Sequence, residues 1–278
     1  MLKKAAIVYC SPGGSTRHVA QVIEKELEHL GMTVLSADLG KSDDGSSVIN
    51  EVKNGKICLF VGSPVYSNHP VLPIMRFISD LPENADIRAV PFVTWGGVSS
   101  GIALHDMGKA LTAKGFSLVG AGKILSLHSM MWQCQNPLGE GHPDMEDDRL
   151  IRALVNGVLK KMEAGSSEVV SLSDLAYQPE KVHAEMEKMT FAKAKGHMPK
   201  KEINEELCTE CGVCAEICPV QAIILSPYPK FDENCICCFQ CVRDCPEEAI
   251  IADLSPVEKL IRGKAKQFDE RPFTKIFP

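Results

Sequence analysis

Nine of the twelve cysteines in this 278-residue chain fall between positions 208 and 246, and eight of them repeat one spacing twice. The first copy, CTECGVCAEICP, supplies Cys208, Cys211, Cys214 and Cys218 ahead of Pro219. The second, CICCFQCVRDCP, supplies Cys235, Cys238, Cys241 and Cys245 ahead of Pro246, with Cys237 left over inside it. Both read C-x2-C-x2-C-x3-C-P. A loop this tight brings three thiolates to three irons of a cubane cluster, while the fourth cysteine is carried away to a neighbouring cluster. The quartets therefore interleave. Cluster one takes Cys208, Cys211, Cys214 and Cys245, and cluster two takes Cys218, Cys235, Cys238 and Cys241. Zinc is a rival reading, but it gathers four ligands into one tetrahedron and has no use for two identical quartets. Disulfides are another, and they need an oxidising compartment. Lys3 and Lys4 are followed by only a short apolar run before Cys10 and Pro12, which is no export signal, so a cytoplasmic location is the expectation.

A second constellation lies in CSPGGSTR, residues 10–17. Glycines there let the backbone fold around an anion, while the hydroxyls of Ser11, Ser15 and Thr16 and the free N–H groups of a helix start can donate to it. A plain tight turn with a helix cap is the alternative. No Walker-type lysine follows the glycines, which argues against a nucleoside triphosphate and suits a phosphomonoester. Two more loops, GSPVYSNHP (62–70) and TWGGVSSG (94–101), carry hydroxyls, glycines and aromatics.

The elements that hold these loops follow from the apolar pattern. Strands are expected at residues 5–9, 32–37, 56–62, 89–95 and 117–125, each followed by a helical pattern or a loop. Helices are expected from Val19 to Leu30, near 71–81, near 102–114 and through Leu150 to Met162. Alternating short strands and helices of this kind read as a parallel sheet with crossover helices. All three loops then end strands on one sheet edge, where doubly wound folds bind their ligands. The glycines of GAGKIL sit inside a strand and form no dinucleotide fingerprint.

With those loops in view, residues 1–165 resemble the flavodoxin-like FMN-binding family, and residues 201–253 resemble bacterial-type two-cluster ferredoxins. The resemblance implies a five-stranded doubly wound parallel sheet of order 2-1-3-4-5, joined through a connector at 166–200 to a small α+β domain with two 4Fe-4S clusters, and a tail at 254–278. It implies that Ser11, Gly13, Gly14, Ser15 and Thr16 wrap the FMN phosphate, with Gly13 standing where the family usually has a hydroxyl. It further implies that Ser63, Pro64, Val65, Tyr66, Ser67 and Asn68 lie on one side of the isoalloxazine ring and Thr94, Trp95, Gly96 and Gly97 on the other. Tyr66 and Trp95 are the candidate stacking aromatics. Fusions of these two families are known as a class, largely in anaerobes.

The composition, 45% hydrophobic and 24% charged, is that of a globular protein, and no apolar run reaches the about 20 residues that span a bilayer. A net charge of −6 argues against nucleic acid as a partner. Acidic residues dominate 201–253 and basic ones the tail, an arrangement that serves either solubility or docking. A loop of roughly twenty residues at 126–148, with His128, Trp132 and His142, is long for such a domain, as functional loops are. The terminal RPFTKIFP is apolar enough to pack on the first domain or on a second chain. The expected function is electron transfer between two clusters and FMN, as an oxidoreductase acting on a small acceptor or a redox partner protein. The alternatives are a non-catalytic carrier and a ferredoxin with a flavin-free docking domain; a homo-oligomer is open.

Overall fold

The computed structural model describes residues 3–41, 44–55 and 57–278. Lys56, the first residue of the strand expected at 56–62, lies outside them. The N-terminal part runs β1 (Lys4–Tyr9), α1 (Ser15–His29), β2 (Thr33–Asp38), α2 (Ser46–Asn54), β3 (Cys58–Tyr66), β4 (His69–Pro70), α3 (Leu72–Asp80), β5 (Arg88–Trp95), α4 (Ala103–Ala113), β6 (Ser117–Leu118), β7 (Ala121–Leu125) and α5 (Met145–Glu163). Strands β2-β1-β3-β5-β7 lie side by side, all parallel, in the order the sequence predicts. Alternation along β1 explains why its run is apolar throughout. Ala6 and Val8 enter one core with Val48, Ile74 and Leu104 of α2, α3 and α4, while Ala5 and Ile7 enter the other with Ile23 and Leu154 of α1 and α5.

Three departures from expectation have local causes. Helix α2 was not expected; Val48 and Val52, one turn apart, bury its inner face. The fifth strand is broken into β6 and β7 near Gly120, where α5 closes so tightly that a Cβ would come 2.7 Å from Val158. A further strand, β12 (Lys275–Phe277), pairs antiparallel with β7 and extends the sheet. The tail thus packs on the first domain of its own chain.

After α5 the connector forms three short helices, α6 (Leu172–Leu175), α7 (Glu180–Glu187) and α8 (Phe191–Lys195). The cysteine-rich unit then reads β8 (Glu202–Ile203), α9 (Val213–Glu216), β9 (Ile223–Leu225), β10 (Pro229–Phe231), α10 (Gln240–Arg243) and β11 (Ile250–Ile251). Its halves repeat: each is strand, cysteine loop, helical turn, strand, with β9 paired to β10 and β8 to β11. Even the backbone repeats, since left-handed φ at Glu210, Gly212 and Gln221 recurs at Cys237, Phe239 and Glu248. Helix α11 (Ser255–Phe268) follows, its first two turns lying against Met131 through Val257 and Ile261. Among the described residues no helix is long and apolar enough to cross a membrane.

Candidate functional site

The interleaved cysteine quartets meet as the spacing implies. One cavity is lined by Cys208, Cys211, Cys214 and Cys245, and a second by Cys218, Cys235, Cys238 and Cys241. Donors already point at sulfur. Ala222 N–H lies 3.3 Å from Cys218 Sγ, and the Lys201 ammonium lies 3.3 Å from Cys235 Sγ while sitting over the rings of Phe231 and Phe239. Hydrogen bonds from Cys237, then the Lys201 charge, hold the Cys235 thiol well below its ordinary range. Two separate sulfur-lined cavities, the second with N–H donors aimed at its sulfurs, suit cubane clusters better than one tetrahedral ion. Cys237 lines neither cavity.

The three loops at the carboxyl ends of β1, β3 and β5 converge on one cleft. Gly13, Ser15, Thr16, Pro64, Val65, Tyr66, Ser67, Asn68, Thr94 and Gly96 all line it. The Thr16 and Thr94 hydroxyls, 2.8 Å apart, tie the first loop to the third. Ser67 and Asn68 both have left-handed φ, making the tight turn between β3 and β4. A Cβ on Gly96 would come 2.7 Å from the His128 backbone, so only glycine lets the 126–130 segment close on this loop. His128 is kept neutral, because burial pushes its imidazole down to about 4, and its Nδ1 accepts from Met130 N–H. The Tyr66 hydroxyl is buried without a hydrogen-bond partner among the described residues; Ser129 approaches it without reaching bonding geometry.

Five expected contact residues do not line the cleft. Ser11 accepts from Arg17 N–H at 2.9 Å and braces the helix start instead. Gly14 is the helix N-cap with φ +88. The Ser63 hydroxyl donates to the Pro64 carbonyl and accepts from Val71 N–H, fixing the second loop from behind. Gly97 turns toward Leu138. Trp95, expected to stack, is fully buried with the Lys123 ammonium 5.1 Å from its ring centroid. Strand alternation is the reason: Thr94 faces the cleft, so its neighbour cannot.

Other walls of the cleft come from parts of the chain to which the sequence assigned no site. The connector contributes Met189, Phe191 and Met198, and α11 contributes Leu260, Ile261, Lys264 and Phe268. Among the described residues, Lys264 is the one charged side chain that lines the cleft. The cysteine-rich unit contributes Ile236 and Cys237, from the loop of the second quartet. Arg243, just after that loop, donates to the Pro12 carbonyl at 2.8 Å, joining the second half-repeat directly to the first loop. Burial and then the charge of nearby Asp38 and Cys238 push the Cys10 thiol up, which puts the second quartet close to the end of β1. The only sequence signal for this arrangement is the apolar Ile-Cys-Cys-Phe in a loop whose twin reads Thr-Glu-Cys-Gly.

Residues 201–224 match the model of the 4Fe-4S binding domain family, which supports at least one such cluster. Over 34 residues the chain is 53% identical to a polyferredoxin, FwdF, of Methanocaldococcus jannaschii, a match covering 12% of this chain and 10% of that protein. Among solved structures it is similar to a flavodoxin from the domain Archaea (TM-score 0.45, 19% identity, 58% of this chain and 99% of that one). It is also similar to rubredoxin oxygen:oxidoreductase of Desulfovibrio gigas (TM-score 0.46, 19% identity, 58% of this chain) and to the Flv1 flavodiiron core of Synechocystis (TM-score 0.45, 16% identity, 59% of this chain). The chain spans only 36% and 37% of those two proteins. By its own strand order the N-terminal part is flavodoxin-like, and a 4Fe-4S ferredoxin module follows it in the same polypeptide.

Proposed function

We propose that this chain is an electron-transfer flavo-iron-sulfur protein, in which residues 1–165 bind FMN, residues 201–253 hold two 4Fe-4S clusters, and the second cluster lies beside the flavin. The observation that carries the reading is the shared cleft, lined at once by the three strand-end loops and by Ile236 and Cys237 of the second cysteine loop. When bound, the clusters would exchange electrons singly and the flavin in pairs. Ser15, Thr16 and the first N–H groups of α1 would hold the phosphate without a lysine. Tyr66, with its unpaired hydroxyl, and the loops at 64–68 and 94–96 would flank the ring. Arg243 and the apolar second loop would hold the cluster against the cleft, and Met189, Phe191, Leu260 and Ile261 would keep water from its far wall. An oxidoreductase acting on a small acceptor or on a partner protein fits these parts. Electron carriage alone is the second reading, because the chain itself supplies the wall that faces those loops.

Anaerobic purification, with iron, sulfide and flavin quantitation and a visible spectrum, tests both halves together. The expected result is about eight irons and one FMN per chain; colourless protein, or zinc in place of iron, refutes the proposal. Turnover of a small acceptor by the reduced protein then separates enzyme from carrier.

A further inference from the structure

The cysteine-rich unit contains its own control, because its two loops repeat in spacing and backbone yet meet opposite environments. In the second half Ile236, Cys237, Cys238 and Phe239 are all buried, at 5%, 8%, 9% and 0% exposure. At the matching positions of the first half Thr209, Glu210 and Cys211 are exposed. Loops of one spacing and one backbone conformation should be about equally accessible unless something covers one of them. The N-terminal domain covers the second loop, through the cleft and the Arg243 contact. Among the described residues, none outside the cysteine-rich unit lines the first quartet's cavity.

We propose that the loop of the first quartet, residues 208–212, is the docking face for a separate one-electron carrier protein whose contact surface is apolar at its centre and basic at its rim. The proposal rests on the reading that both quartets hold clusters. Two observations beyond exposure define the partner. Leu207 and Leu225 are 48% and 43% exposed beside the loop, and Leu225 Cδ1 lies 3.6 Å from where a Gly212 Cβ would be. Around them Glu205, Glu206, Glu210, Glu247 and Glu248 are exposed, and residues 202–216 and 244–253 hold no lysine or arginine. Glu210 and Glu247 line the first quartet's own cavity, so the charge surrounds the redox centre. A small apolar centre in an anionic ring favours fast, salt-sensitive encounter with a cationic carrier and disfavours an acidic one. With the cluster bound, each encounter would move one electron, lost by the carrier and gained by the chain or the reverse, and Cys208, Cys211, Cys214 and Cys245 would hold the centre that exchanges it. Two encounters match the pair that a flavin holds.

The repeat also supplies matched variants. Glu206 and Glu233 occupy the same position in the two halves and both are exposed. With anaerobically purified holoprotein and a basic c-type cytochrome as probe, Glu206→Lys should weaken binding by calorimetry, and slow electron delivery at low salt, at least about fivefold. Glu233→Lys, an identical charge change, should alter either by less than about twofold, and the difference should fade at high salt. Equal effects of the two variants, or none, overturn the proposal. So would docking of a second copy's basic α11 on this face, visible as self-association at low salt that Glu206→Lys abolishes. Protein that keeps both clusters but binds no flavin still gives a valid docking result, so the failure of the flavin reading is told apart from failure of the port.

Discussion

Gly96 shows how little freedom single positions of the cleft have. Because its Cβ would strike His128, Gly96→Val should force the third loop and the 126–130 segment apart and lower flavin retention several-fold, read as the flavin-to-protein absorbance ratio. Gly14 has open space around it but φ +88, so Gly14→Val should cost about 1–2 kcal/mol of backbone strain at the helix start and also release flavin; normal flavin content would exclude this loop as the phosphate site. Trp95→Phe is the contrasting case. Its ring is under Lys123 and away from the cleft, so the visible flavin spectrum should not change. For the clusters, Cys211→Ala should remove about half of the iron, whereas Cys237→Ser should remove none, as measured by iron and sulfide analysis. Spacing alone nominates the eight cysteines that line the two cavities, but which aromatic faces the cleft depends on the register of one strand residue.

At the scale of elements, the connector is held by a histidine that needs both its protons. His69 Nδ1 lies 2.7 Å from Asp106 Oδ2, and Nε2 lies 2.8 Å from the Met189 carbonyl and 3.2 Å from that of Met186. Both nitrogens face acceptors, so the imidazolium is favoured, and the bond to Asp106 raises its pKa above the usual value against the effect of burial. The neighbouring groups are His105 and Lys109 of α4 and His183 and Glu187 of α7; burial, then His183, lowers His105. A raised histidine stabilises the fold fully below its unfolded value near 6.5 and loses that contribution as pH rises through its folded value. Hydrogen exchange in α7 should therefore quicken as pH rises through the raised His69 pKa, beyond the intrinsic trend, and His69→Phe should abolish that step. The step's persistence in the variant would discount the clamp. None of this was legible beforehand, because His69, Asp106 and Met189 meet only through the crossing of three elements.

At the scale of the whole molecule, the tail closes the first domain. Glu270 lies 2.6 Å from the Lys123 ammonium, accepts from Ser100 N–H and Gln178 Nε2 at 2.9 Å each, and so ties β7, the third loop and the connector together. Burial opposes the Glu270 charge most, but Lys123 and the hydrogen bonds from Ser100 and Gln178 together outweigh it and lower the carboxyl pKa, so this contribution holds above the ordinary range near 4.5 and is lost as pH falls through the lowered value. Lys123 is buried among Trp95, Tyr177 and Phe273 and would be left unpaired by Glu270→Ala, which should destabilise the protein by about 3–5 kcal/mol in urea unfolding. A loss under about 1 kcal/mol would show that the tail is dispensable.

Local chemistry was determined by the sequence alone. Cysteine spacing nominates the quartets that line the two sulfur-rich cavities, apolar runs make parallel strands, and glycines with hydroxyls bring a loop to the cleft, because each depends on residues close along the chain. Tertiary structure alone decided that the two equivalent cysteine loops differ, one buried against the cleft and one exposed. It also decided that residues from the connector and the tail wall that cleft. The reason is physical: burial of one repeat and exposure of its twin depend on which surface folds over them, and no short-range pattern encodes that choice.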